Sequence, residues 1–219
     1  MSGFDVRLPE LLVRGVIAGR RHDQVRAYEV LAPAIMTLAT RILQDRHQAE
    51  EVVQDTFVDV VEKARGVRTP GAFVGWVKRV AVNHCLMRLR SPWHARREAL
   101  DEPDAETAPV SAGGYGLDPQ SDSHAQRTLE AALGQLPDDA RAVLWLHDVE
   151  GYTHKEIGQL MGHTTSYSKS QLARAYQKLL AWRLAGERAA SGATPSRQGT
   201  QSEPQQRSIA GRTSTPTPA

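Results

Sequence analysis

The chain has a single cysteine in 219 residues, only three phenylalanines and four tryptophans, and no apolar run near membrane-spanning length. A bilayer helix needs ~20 consecutive apolar residues, so no membrane insertion is expected. No apolar h-region follows the N-terminus, which argues against a signal peptide. Cys85 can close no internal disulfide and supplies no cysteine zinc site, so the expected compartment is the reducing cytoplasm. Neither Glu-x-x-His nor His-Glu-x-x-His occurs, which removes the di-iron bundle and zinc-protease patterns. The adjacent Asn83, His84 and Cys85 make a poor catalytic pair, because neighbours on a helix point ~100° apart and no third group orients them. The expectation is therefore no enzyme, no metal and no cofactor. No segment alternates apolar and polar residues for long enough to argue a sheet, which leaves an all-α chain.

Charge is present but unevenly spread. The formal net charge is only +2. Residues 1–100 carry 16 Lys/Arg against 11 Asp/Glu, whereas residues 101–125 carry six acids and no base. Residues 126–185 are close to balance, with seven bases and six acids, and residues 186–219 carry four bases and two acids. The acidic stretch also holds Pro103, Pro109, Pro119 and three clustered glycines, too little apolar surface to repay the entropy of ordering. It reads as a flexible linker over 98–125. The final segment, 186–219, is Ser, Thr, Pro, Gln and Gly-rich and is predicted to be disordered.

Two helical blocks remain. In the first, Leu31, Ile35, Leu38 and Ile42 recur at helical spacing over 27–43. Asp45 then offers an N-cap, and Val53, Phe57, Val60 and Val61 extend a second helix to about Ala64. After Gly66, Thr69 is the expected cap and Pro70 the first residue of a third helix, with Phe73, Trp76, Val77 and Val80 on its apolar side. Phe73 and Trp76 are both expected in the core. In the second block, Leu129, Leu133 and Leu136 precede Pro137, and Val143, Leu144, Leu146 and Val149 line a helix that Gly151 ends. Thr153-x-x-Glu156 is a capping box, Gly162 a C-terminal stop, and a longer helix runs from about Ser166 to Trp182.

Short helix, glycine turn and long polar-faced helix make a helix-turn-helix pattern. It fits a DNA reader whose second helix enters the major groove, and it also fits an ordinary helical hairpin with a solvated face. Residues 63–97 mix nine Lys/Arg with Phe73, Trp76 and Trp93, which suits phosphate contact and base stacking or simply a charged exposed helix. Glu51, Asp55, Asp59 and Glu62 form a carboxylate stripe that suits either a partner surface or solvent.

As a set, these segments resemble a known family. Residues 45–57 (DRHQAEEVVQDTF), followed by Phe73-x-x-Trp76-Val-Lys-Arg-Val-Ala-Val-Asn83, resemble region 2 of sigma-70-type initiation factors. The similarity is greatest to the small extracytoplasmic-function group. Leu136-Pro-Asp-Asp-Ala-Arg141, Val149-Glu-Gly-Tyr-Thr-x-x-Glu156-Ile and Ser168-Lys-Ser-Gln-Leu-Ala-Arg174 resemble its region 4. The resemblance implies a region 2-like domain over 1–97 (core 27–97), the linker, a region 4-like domain over 126–185, and the tail. It implies a promoter-directing factor; the alternatives are a stand-alone helix-turn-helix regulator and a helical protein adaptor.

The resemblance also assigns surfaces. Glu50, Glu51, Gln54, Asp55 and Asp59 would dock core RNA polymerase. Arg65, Arg68, Lys78, Arg79, Asn83, Arg88 and Arg90 would hold the melted −10 element of promoter DNA. Ser166, Tyr167, Lys169, Ser170, Gln171 and Arg174 would read the −35 element. Melting requires a base held outside the stack at a cost of a few kcal/mol, and the Gly66–Gly71 loop is the expected pocket. An anti-sigma partner that masks these DNA faces is implied as well. Four positions depart from the family pattern: Met87 where Asp is frequent, Tyr167 where Thr is usual, Ser168 where Val is usual, and Gln171 where Arg is common.

Overall fold

The computed structural model describes residues 4–91 and 123–190, and those residues are helical without a strand. Most of the acidic linker, and the tail from residue 191, lie outside them. The first domain comprises α1 (Glu10–Ile17), α2 (Arg21–Leu43), α3 (Arg46–Lys63) and α4 (Phe73–Leu89). The second comprises α5 (Ser123–Gly134), α6 (Asp138–Leu144), α7 (His154–Met161) and α8 (Thr165–Ala190). Residues 186–190, counted with the tail on composition, thus continue the last helix, and residues 123–125, counted with the linker, open α5.

The apolar stripe of α2 works as its spacing requires: Leu31, Ile35, Leu38 and Ile42 are all fully buried. Each such side chain contributes about 1.5–3 kcal/mol by leaving water. The helix starts six residues earlier than periodicity indicates, because the turn Arg21–Arg26 is polar and carries no stripe. α1 buries Val13 and Val16 against this bundle. At the α2–α3 corner, Gln44 takes a left-handed conformation (φ 53°) and its N–H reaches Thr40 O at 2.9 Å. Asp45 then caps α3, accepting from the Gln48 backbone N–H at 3.1 Å. A two-residue corner with both ends capped sets α2 and α3 side by side and aims the opposite face of α3 at solvent.

The entry to α4 differs from expectation. Thr69 makes no side-chain cap, Pro70–Ala72 form a single 3₁₀ turn, and the α-helix begins at Phe73. This extra turn leaves residues 66–72 as a loop arched over the C-terminal end of α3.

In the second domain, Thr153 and Glu156 form the reciprocal capping box: Glu156 N–H donates to Thr153 Oγ1 at 3.3 Å, and Thr153 N–H donates to Glu156 Oε2 at 2.8 Å. Gly162 ends α7 in the left-handed region (φ 70°). Gly158 is required for a different reason. A Cβ there would lie 2.9 Å from His163 O and 3.0 Å from Thr164 O, inside the turn that sets α7 against α8. The helix before them departs from α geometry after Leu144. Residues Trp145–Val149 form a π turn, with Glu150 N–H donating to Trp145 O at 3.1 Å. One extra residue is thereby inserted ahead of Glu150, as single π turns do.

Candidate nucleic-acid interface

Three surfaces can be built from the expected residues upward. On α3, Glu50 and Gln54 are exposed and Glu51, Asp55 and Asp59 half-buried. Asp59 turns away from the rest. It pairs with Lys63 Nζ at 2.5 Å and with His84 Nε2 at 3.0 Å. Burial alone would raise its carboxyl, but the hydrogen bonds from Lys63 and His84, with their charge, outweigh burial and hold it below the ordinary 3.8. Glu51 and Asp55 share one partner: Arg88 of α4 reaches Glu51 Oε2 at 2.5 Å and Asp55 Oδ2 at 2.6 Å. Arg88, expected among the strand-binding cations, is therefore neutralised within the domain by two residues of the acidic face.

Between the C-terminal end of α3, the 66–72 loop and α4 lies a cleft of about 580 Å³. Its walls include Asp59, Lys63, Arg68, Thr69, Trp76 and Asn83. That size is within the range of small-ligand sites. Trp76 is a half-buried wall of this cleft rather than a core residue, while Phe73, 6.0 Å away between ring centroids, is fully buried. The cleft thus offers an aromatic face, an amide, the Asp59–Lys63 ion pair and the Arg68 cation. Such a set suits a planar heterocycle attached to a phosphate chain.

On α8, Ser166, Lys169, Ser170 and Arg174 lie on one exposed face. Tyr167 does not join them freely. Its hydroxyl donates to Asp139, and its ring stacks on His163 at 4.0 Å. Burial, then the Asp139 carboxylate, push the phenol up to about 12, so it remains a donor. Gln171 is buried, and the Ser170 hydroxyl turns back onto Tyr167 O at 2.8 Å. Ser168 is fully buried, and its hydroxyl meets His154 Nδ1 at 3.0 Å. The polar residue at that position is thus matched by a histidine on α7. Burial first, then the charge of His147, lower the His154 pKa below the ordinary histidine value.

Comparison with known proteins bears on what these surfaces serve. Residues 27–97 match the family model described as Sigma-70 region 2, and residues 126–179 match Sigma-70, region 4. The RNA polymerase sigma factor CarQ of Myxococcus xanthus is 33% identical over 149 residues, covering 68% of this chain and 82% of CarQ. The chain belongs to the sigma-70 family. Within it, the chain is a member of the ECF group: the ECF RNA polymerase sigma factor SigE of Mycolicibacterium smegmatis is 33% identical over 153 residues, covering 68% of this chain and 56% of SigE. A solved structure of CnrH in complex with the cytosolic domain of CnrY aligns with TM-score 0.48 at 20% identity, covering 80% of this chain and 97% of that one.

Sigma factors are non-enzymatic transcription initiation factors that bring core RNA polymerase to promoter DNA, and the two regions found together decide against a stand-alone regulator. In this sigma factor the six cations and one amide expected at the −10 element separate into groups. Arg68 and Asn83 line the cleft, and Arg65 and Arg79 are exposed nearby in sequence. Arg88 is held by the acidic face, and Lys78 and Arg90 turn to the second domain. Thr69 lies in the Gly66–Gly71 loop expected as the pocket, whereas sequence reasoning placed Trp76 in the core and left Lys63 out of the −10 set, and both line the cleft. The signal was available for one of them: Trp76, Val80 and Asn83 recur at helical spacing, offset from the buried row Phe73, Val77 and Ala81. It also placed Val61 in the core, whereas Val58 and Val61 are more than half exposed and extend the α3 face beyond Gln54. No described helix is long and apolar enough to cross a membrane.

Proposed function

We propose that the first domain melts the −10 element by holding one extruded non-template base in the cleft between α3, the 66–72 loop and α4. The single observation carrying this reading is the convergence of Trp76, Asn83, Lys63 and Arg68 on one cleft of nucleotide size. The indole supplies a stacking face, Asn83 supplies paired donor and acceptor groups, and the two cations hold flanking phosphates. Extrusion costs a few kcal/mol, and stacking returns ~1–3 kcal/mol per base. The exposed face of α3, from Glu50 and Glu51 through Gln54 and Asp55 to Val58 and Val61, docks core polymerase. The exposed face of α8, with Ser166, Lys169 and Arg174, reads the −35 duplex, and Tyr167 braces that helix instead of touching bases. Domain limits follow the same division, with the two ends of the second domain extended: 1–97, linker 98–122, 123–190 and tail. The factor works in the cytoplasm, performs no chemistry of its own, and is held in check by an anti-sigma partner covering the DNA faces.

Run-off transcription with core polymerase and genomic DNA tests this reading. Promoter-dependent products are expected only when the protein is added, and their absence would sink it. For the −35 contact, Arg174→Ala should flatten the slope of log K against log salt by about one unit, the signature of one lost phosphate contact. An unchanged slope removes Arg174 from that surface.

A further inference from the structure

The 66–72 loop is framed by two 3₁₀ turns, Ala64–Gly66 and Pro70–Ala72, and α1 packs against both. The corner between α1 and α2 therefore borders the cleft. α1 ends there in a Schellman turn: Arg20 N–H donates to Gly15 O and Gly19 N–H to Val16 O, both at 2.9 Å, with Gly19 in the left-handed region (φ 78°). The turn leads the chain back along its own helix, and two guanidinium groups rest on it. A Cβ at Gly15 would sit 2.6 Å from Arg20 Nη2 and would overlap the Asp23 carboxylate, and a Cβ at Gly19 would sit 3.0 Å from Arg65 Nη2. Each glycine is thus bare backbone beneath an arginine, one from the corner itself and one from the turn that ends α3. The Arg20 side chain is 62% exposed and pairs with Asp23 at 2.7 Å. Arg65, like Arg21 and Arg68, is exposed and makes no hydrogen bond or ion pair among the described residues. Its charge is therefore uncompensated.

We propose that this corner is a phosphate-binding rail for single-stranded DNA, which carries the strand onward from the cleft across Arg65 and then Arg20. The order follows from the chain. Arg68 is a wall of the cleft, Arg65 belongs to the turn just before it with its guanidinium on Gly19, and Arg20 follows Gly19 with its guanidinium back on Gly15. Guanidinium is the side-chain group whose planar fork matches phosphate oxygens, and it stays charged at every physiological pH. An arginine already resting on backbone has less rotamer freedom left to lose when it binds. Asp23 holds part of the Arg20 charge in reserve, so a phosphate arriving there competes with a carboxylate. Contacts of this kind position a strand without reading its bases, so the rail adds affinity to whatever sequence the cleft selects. The path of the strand rests on the −10 reading above, whereas the affinity of the corner for phosphate does not.

The test measures binding of single strands to the full chain assembled with core polymerase, over a salt series. The probes are the −10 non-template strand, its sequence taken from mapped run-off start sites, and the same strand lengthened by a few thymidines at either end. Added phosphate contacts to Arg65 and Arg20 should steepen the slope of log K against log salt by about 1.4 for one lengthened strand, at ~0.7 per contact. The advantage of that strand then shrinks about sevenfold between 50 and 200 mM salt. Replacing the thymidines by mixed sequence should change nothing. Arg20→Ala should remove about 0.7 of the increment and leave the short strand unaffected, and adding Arg65→Ala should remove the rest. Arg20→Lys keeps the charge and should keep the increment; a loss in the lysine variant as well points to packing and overturns the rail. Asp23→Asn removes the competing carboxylate and should tighten the lengthened strand several-fold without tightening the short one. No steeper slope with either extension, or an increment that Arg20→Ala and Arg65→Ala leave intact, also overturns the proposal. An abasic site at the extruded position separates the two readings. If it costs the short strand nothing, the cleft reading fails, while the increment and its dependence on Arg20 still decide the rail.

Discussion

Replacing Trp76 by alanine is expected to slow open-complex formation about 5- to 150-fold, the equivalent of the ~1–3 kcal/mol contributed by one base–aromatic stack. The indole forms one wall of the cleft, and among the described residues no other aromatic ring lines it. Without that wall, an extruded base loses its stacking partner while the phosphate contacts of Lys63 and Arg68 persist. Closed-complex formation, which depends on the −35 duplex and on polymerase docking, should therefore change little. Because the ring is half-buried beside Phe73, the alanine variant needs a thermal melt and a Trp76→Phe companion, which keeps a stacking face and should recover most of the rate. A template with an abasic site at the extruded position supplies the sharper control. It should cost the wild type about as much as the mutation does, and cost the Trp76→Ala protein little more. Equal losses from the abasic site in both proteins would place the base elsewhere.

Reversing Glu51 and Asp55 to lysine should weaken binding to core polymerase about 10- to 100-fold, with the loss shrinking as salt rises. Both carboxylates are two-fifths to a half exposed, so each contributes modestly, and reversal adds repulsion to the lost attraction. The interpretation is complicated by Arg88, which forks across both groups and would be left facing two new cations. Glu50→Lys combined with Gln54→Lys changes the same face without touching Arg88 and should produce a loss of the same order. If the first pair weakens docking and the second does not, the effect comes from the Arg88 fork and the α3 face is only solvated. Pull-down of core polymerase over a salt series measures both.

Much of the helical framework could be read from local pattern, and the misses have identifiable causes. The α2 stripe, the Asp45 cap, the Thr153–Glu156 box and the Gly162 stop were each legible, because their partners lie within four residues in sequence. α1 and the first turn of α2 were not: the former is two turns long, and the latter is mostly exposed and carries no apolar stripe of its own. The start of α4 was misplaced because proline at the first helical position and proline opening a 3₁₀ turn present the same sequence. The π turn was not foreseen from local pattern; Trp145 and Leu146 within it are both buried.

By itself, the sequence determined the class of this protein: two helical domains, a basic first one, a capped helix-turn-helix in the second, an acidic spacer and a sigma-70 likeness that the comparisons establish. Only the tertiary structure decided what each charged or aromatic side chain is free to do. Arg88 meets Glu51 across 37 residues, and Lys78 meets Glu150 across 72, separations at which no periodicity or spacing rule operates. Trp76 and Phe73 share one side of a helical wheel, yet one lines a cleft with the 66–72 loop and the other fills the core. Local backbone preference and apolar period act over a few residues and so are written along the chain. The pairing of charges depends on which helices the burial of apolar surface has already brought together.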